Sequence, residues 1–200
     1  MRWTGRKPCG ERMTIVILAA GTARRMGRQK LLLPVDGRSI VERVIDAARA
    51  WPTVIVTSAQ VTQLLDPAAL RIVRNDAPDR GMSHSLKLAN ATIDPIEPIA
   101  VVLGDLPDIT AQAIAGVVRA YDDTIDVVVP RCGDAFAHPV VFGPRARRKI
   151  EALPDGDTIK HLRDDPGLAR RFVDGDQSAL IDVDTPSDYA RRIAAAESSQ

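Results

Sequence analysis

Cysteine is scarce: Cys9 and Cys132 are the only two in 200 residues. Neither stands in a C-x-x-C or Cys/His spacing, so neither a disulfide framework nor a thiolate metal site is expected, and a reducing, cytoplasmic compartment is the default. Histidine is equally sparse, with His84, His138 and His161 far apart. No zinc triad and no local Ser/His/Asp or Cys/His grouping can be read from them. Aromatic residues make up 4% of the chain and the formal net charge is +1, which argues against a broad nucleic-acid-binding face. No apolar run approaches the roughly 18 residues of a membrane span. The first twelve residues carry Arg2, Arg6, Lys7 and Arg12 against Glu11, with no apolar stretch of signal-peptide length. They read as a disordered tail or an upstream start, or else as a basic arm for a partner, because Met13 directly precedes the first periodic segment. No repeat, low-complexity tract or linker divides the remainder, so one domain is expected over 13–197.

What is present is a regular alternation. Thr14 to Leu18 is a β-branched apolar run ending in Ala19-Ala20-Gly21, a buried strand feeding a glycine turn. Ser39-Ile40-Val41-Glu42 forms a capping box, followed by Val44, Ile45 and Ala48 at helical spacing to about Arg49. Thr53 to Thr57 and Leu70 to Val73 read as strands around a short helical stretch that Asp66-Pro67 ends. Ser83 is placed as the cap of a helix carrying Leu86, Ala89 and Ile93. Ile99 to Leu103 is an apolar strand running into Gly104-Asp105. Thr110 opens a helix with Ile114, Val117 and Val118, and Val127 to Val129 is a strand closed by Pro130. Short all-apolar strands between amphipathic helices predict a three-layer, Rossmann-like, doubly wound α/β fold with a mostly parallel sheet. Arg131 to Phe142 breaks the pattern as a small antiparallel insertion, a common place for a second substrate. Thr185-Pro186-Ser187-Asp188 opens a last helix.

In such a sheet ligands bind beyond the carboxyl ends of the strands. The loop from Leu18 to Lys30 offers small residues and cations there, a combination suited to a triphosphate. Its glycines, Gly21 and Gly27, are six apart, so it is neither the dinucleotide fingerprint nor a Walker loop. Asp105 follows an apolar run into a turn, where Mg²⁺ commonly takes a carboxylate. Asp182 and Asp184 lie two apart and would share one face of a strand. Either could add a ligand, or instead cap the helix at Pro186.

Together these segments carry a resemblance. Leu18-Ala19-Ala20-Gly21-Thr22-Ala23-Arg24-Arg25-Met26-Gly27-Arg28-Gln29-Lys30-Leu31-Leu32-Leu33-Pro34 resembles the signature of molybdenum cofactor cytidylyltransferases and their MobA-like NTP transferase relatives. Gly81-Met82-Ser83-His84-Ser85-Leu86, Gly104-Asp105-Leu106-Pro107, His138-Pro139-Val140-Val141-Phe142 and Asp182-Val183-Asp184-Thr185-Pro186 follow in family order. The resemblance implies transfer of CMP from CTP to molybdopterin with loss of pyrophosphate, dependent on Mg²⁺. Arg25, Lys30 and Asp105 would be catalytic, and Leu18, Ala19, Ala20, Gly21, Arg25, Lys30, Ser83 and Ser85 would hold the nucleotide. His138 would meet the acceptor, and Asp105 with Asp184 the metal. A molybdoenzyme or its chaperone would be the protein partner. Ala20, where guanylyltransferases commonly have a second glycine, points to CTP on the argument that its methyl crowds a purine. The chain departs from the pattern at Ala23, where serine is common, and at Leu106, where glutamine is frequent. A guanylyltransferase, a transferase for another phosphorylated metabolite, and a non-catalytic cofactor carrier remain alternatives.

Overall fold

A strand of valine, isoleucine and leucine has no polar face to show to water, so it is stable only with helices over both sides. That is what the chain builds. The computed structural model describes residues 13–21, 26–67 and 70–197; the expected tail over residues 1–12, and Ala23 and Arg25, lie outside them.

In chain order come β1 (Thr14–Ala19), a hairpin of β2 (Pro34–Val35) and β3 (Arg38–Ser39), α1 (Ile40–Ala48), β4 (Thr53–Thr57), α2 (Ala59–Thr62), β5 (Arg71–Arg74), α3 (Gly81–Asn90) and β6 (Ile99–Leu103). Then follow α4 (Ala111–Arg119), β7 (Val127–Cys132), β8 (Ala135–Phe136), β9 (Val140–Phe142), α5 (Pro144–Arg147), α6 (Lys160–Arg163), β10 (Arg170–Asp174) and α7 (Pro186–Glu197). The main sheet runs β10-β7-β9-β6-β1-β4-β5, with β8 joined to β7. β1 pairs in parallel with β4 and β6, and β10 with β7. β9 is antiparallel to both neighbours. The antiparallel insertion therefore enters the middle of the sheet, and β6 and β7 still run the same way.

Both faces are covered. Ile15, Ile17, Ile40, Val44, Ile114 and Val117 pack on the α1 and α4 side, and Val16, Val54, Leu86, Val129, Ile150 and Leu162 on the α3 and α6 side. The α1 capping box forms as expected: Ser39 N–H donates to Glu42 Oε2 at 2.7 Å, and Glu42 N–H to Ser39 Oγ at 3.4 Å. Thr110 Oγ1 caps α4 by accepting from Ala113 N–H.

Two expectations need correction. Ser83 does not cap α3, which already begins at Gly81. Its own N–H donates to Asp157 O at 3.1 Å. The helix opens instead at Gly81, at φ +85°, packed so closely on the loop at Gly156 that a Cβ there would lie 2.7 Å from Gly156 Cα. Nor does Pro130 end β7, which continues to Cys132. β9 pairs with Val127 and Val128, and β8 with Arg131 and Cys132. Pro130 falls between these ladders, with its carbonyl accepting from Ala137 N–H at 2.9 Å, so its missing N–H costs no ladder bond.

Candidate active site

β1 and β6 are neighbours, and their carboxyl ends set the site. Gly104 N–H donates to Leu18 O at 2.9 Å. A Cβ on Gly104 would come within 2.9 Å of Ala19 Cβ and 3.1 Å of Leu18 O, so only glycine lets β6 turn across the end of β1. Asp105 is delivered by that crossing. Leu106, where the resemblance has glutamine, is 2% exposed and spent on packing.

Lys30 opens a 3₁₀ turn held by Gln29, whose amide also donates to Gly21 O at 3.3 Å and so closes the glycine loop. Lys30 Nζ donates to Asp105 Oδ2 at 2.7 Å and Asp184 Oδ1 at 2.5 Å. Burial works to lower the lysine pKa, but Asp105 and then Asp184 outweigh it, and the ammonium is held above its ordinary range. Asp184 is brought in by its neighbour: Val183 is fully buried, and its N–H donates to Asp105 O at 3.1 Å. The segment 181–184 is not in a ladder, so the shared strand face expected for Asp182 and Asp184 does not exist. Asp184 reaches Lys30, whereas Asp182 stands exposed. Partial desolvation, then the charges of Asp184 and Asp105, push the Asp182 carboxyl up.

The residues that the resemblance assigns to the nucleotide sit at the same end. Gly21 is exposed, with open space where a Cβ would stand. Ala19 and Ala20 are buried. The Ala20 methyl is packed on the α3 side of the core, which removes the argument that it crowds a purine directly. Ser83 and Ser85 are both buried at the start of α3. Ser83 Oγ has no hydrogen-bond partner, while Ser85 Oγ accepts from Asn75 Nδ2 at 2.9 Å. Asn75, which sequence reasoning missed, is 2% exposed and also accepts from Ala77 N–H at 2.8 Å. Its signal was an asparagine just past a strand end. His138 Nδ1 lies 3.2 Å from Val101 O. Burial lowers its pKa against the opposing pull of that bond and of Asp105. The ring is therefore neutral near pH 7, with Nδ1–H donating and Nε2 left as an acceptor.

The donor set suits a hard divalent cation. Asp105 Oδ1 is buried without a hydrogen-bond partner, while Oδ2 shares one cation with Asp184. Among the described residues no group of three or more His, Cys, Asp or Glu is arranged to hold a metal. Two carboxylates, completed by phosphate oxygens and water, is the Mg²⁺ pattern and not that of a closed zinc site. Among the described residues, too, no helix is long and apolar enough to cross a membrane.

A glycine loop, a lysine and paired carboxylates meeting at parallel strand ends define the class of α/β proteins that handle nucleotide phosphates. The chain belongs to the MobA-like NTP transferase domain family, whose model matches residues 15–177, and that is a family of nucleotidyltransferases. A stretch of 118 residues is 35% identical to the bifunctional protein GlmU of Burkholderia orbicola, covering 56% of this chain and 26% of that relative. The chain thus spans about a quarter of the length of the curated relatives it matches. The crystal structure of a Mycobacterium sp. strain JC1 homologue of Rv0371c superposes with a TM-score of 0.80 at 28% identity, over 95% of this chain and 99% of that one. Rv0371c of Mycobacterium tuberculosis H37Rv, solved as a manganese complex, gives 0.72 at 23% identity, over 92% and 98%.

Proposed function

We propose that the domain over 13–197 transfers CMP from CTP to the terminal phosphate of a molybdopterin-type acceptor, releasing pyrophosphate. The observation that carries this reading is the meeting of Lys30, Asp105 and Asp184 beside the Gly21 loop. Bound Mg²⁺ would supply charge neutralisation on the triphosphate, held by Asp105 and Asp184. A relative crystallised with manganese supports a divalent ion in this fold. The acceptor phosphate already carries an anionic oxygen, so in-line attack on the α-phosphorus needs no strong base, and positioning and electrostatics dominate. Lys30 is placed to move from the carboxylates to the leaving phosphates, and the family resemblance gives Arg25 a part in the same task. Gly21 lets the backbone approach the triphosphate, and Leu18, Ala19 and Ala20 shape the floor beneath it. Ser83 and Ser85, the latter oriented by Asn75, face the base. His138 faces the acceptor with its Nε2 lone pair, which would receive a hydrogen bond rather than neutralise a phosphate. CTP in preference to GTP, a cytoplasmic setting and delivery of product to a molybdoenzyme or its chaperone follow from the family resemblance. The test is pyrophosphate release: it should require CTP, Mg²⁺ and molybdopterin together, and release without the acceptor would indicate simple hydrolysis and reject the reading.

A further inference from the structure

One surface beside the site is used by nothing above. Through β9, Val127 of β7 is level with Ile99 of β6, and Val128 with Ala100. Continued along the two strands, this register brings Arg131 level with Leu103, two strand spacings or about 10 Å away. β9 has ended at that height, and His138 fills the gap, within electrostatic reach of both Asp105 and Arg163. Phe136 pairs with Arg131, and Phe172 pairs with Val129. All four therefore stand on one face, the α3 and α6 side where Val129 and Leu162 share the core. This is also the side of α3 that carries Leu86.

Phe136 and Phe172 are 39% and 48% exposed, with ring centroids 6.4 Å apart. The Arg131 guanidinium lies 5.3 and 5.2 Å from the two centroids, Arg163 sits 3.7 Å from that of Phe136, and Arg170 is 5.9 Å from that of Phe172. Arg163 is itself 8% exposed, which fixes the stack. The Arg131 side chain is 38% exposed, so its terminal N–H groups can donate to a ligand lying on the rings, whereas the Nε–H groups of Arg131 and Arg170 are buried. Net charge is not what this surface offers, because Arg163 is paired with Asp164 at 2.7 Å and Arg131 faces Asp134 at 3.8 Å. Exposed ring surface and the terminal N–H groups of Arg131 are what it offers, and those fit a planar heterocycle with ring acceptors better than a phosphate.

We propose that Phe136, Phe172 and Arg131 form a subsite for the planar heteroaromatic ring of the acceptor, stacked on the phenylalanines with its ring acceptor atoms toward the terminal N–H groups of Arg131. This rests on the transferase reading and adds to it the acceptor's orientation: phosphate at Lys30, ring on the far side of His138.

The test uses 6-hydroxymethylpterin monophosphate, titrated by its own fluorescence into the full chain, with CTP binding measured in parallel. Phe136→Leu and Phe172→Leu keep apolar bulk but lose the ring, and each should weaken pterin binding about 10-fold, as for loss of one stacking contact, leaving CTP affinity and melting temperature unchanged. Arg163→Met, which removes the guanidinium from the Phe136 face, should also weaken the pterin alone. If the wild type binds CTP but not the pterin, or the Leu variants bind the pterin as the wild type does, the subsite is wrong and the transferase reading stands. If the wild type fails to bind CTP, that reading fails, while ring-dependent pterin binding would still support the subsite. Sedimentation supplies the remaining outcome: a dimer that the Leu variants dissociate without changing pterin affinity would make these rings a contact between copies and overturn the proposal.

Discussion

Lys30 Nζ stands 2.7 Å from Asp105 Oδ2 and 2.5 Å from Asp184 Oδ1, so the chain's own ammonium occupies the place between two carboxylates that suits a divalent cation. Opposite unit charges this close attract by about 6 kcal/mol at an effective dielectric near 20, before screening at the more exposed Asp184 is counted. On the proposed reading the lysine and the metal compete for these carboxylates until triphosphate draws the lysine away. Lys30→Met should bind Mn²⁺ more tightly than wild type in the absence of nucleotide, by about 10-fold or more, as read by electron paramagnetic resonance. The same variant should lose about 10²-fold in kcat, by analogy with removal of one transition-state donor. Weaker Mn²⁺ binding in the variant would show that Lys30 helps to build the cation site and does not occupy it.

The two aspartates flanking Val183 separate cleanly. Asp184 touches Lys30 and Asp182 does not. Asp184→Asn should raise the Mg²⁺ concentration needed for half-maximal activity far more than Asp182→Asn. Asp105→Asn should abolish most metal-dependent turnover at an unchanged melting temperature, because the amide keeps the volume and removes the charge. Equal effects at 182 and 184 would return the choice between them to the open state in which the sequence leaves it.

His138 gives a pH signature. Burial depresses its folded pKa, so between that value and the unfolded value of about 6.5 the unfolded chain binds more protons. Its contribution is neutral above about pH 6.5, and stability is lost as pH falls through that window toward the folded pKa. His138→Asn should flatten the fall in urea-unfolding free energy between pH 7 and 5. An identical slope in the variant would assign the acid sensitivity to other groups.

Arg147 has a structural part that the sequence did not announce. It is 2% exposed and donates to Asn90 Oδ1 at 2.9 Å, Asp94 O at 2.6 Å, Ile93 O at 3.2 Å, Asn90 O at 3.3 Å and Glu97 O. The guanidinium gathers the chain between α3 and β6, and its removal strands buried carbonyls. Arg147→Met should cost about 3–5 kcal/mol in urea unfolding, the range for breaking a buried charge's partnership. A loss below about 1 kcal/mol would mean that water replaces it freely.

The parts of the fold carried by local chemistry were legible beforehand. The Thr14 and Ile99 runs have no polar face, the Ser39 to Glu42 box caps α1, and Asp105 beyond β6 could be named as a candidate carboxylate, with Asp182 or Asp184 as the second. What escaped depends on contacts distant in sequence. β10 reads Arg170-Arg171-Phe172-Val173-Asp174, with no apolar run, and becomes a strand because β7 offers it an edge. Ser83 looked like a cap because serine caps helices, whereas the helix opens at Gly81, against Gly156 from a loop distant in sequence. Choosing Asp184 over Asp182 needed the bond from Val183 N–H to Asp105 O, which no spacing encodes.

The central claim is transfer of a cytidylyl group, and an internal competition tests it directly. The protein is incubated with equimolar CTP and GTP, Mg²⁺ and molybdopterin, and the acceptor product is weighed by mass spectrometry. Acceptor should gain the mass of CMP, in excess over GMP, with one pyrophosphate released for each product molecule. Acceptor gaining GMP predominantly, or left unmodified while CTP binds, would contradict it.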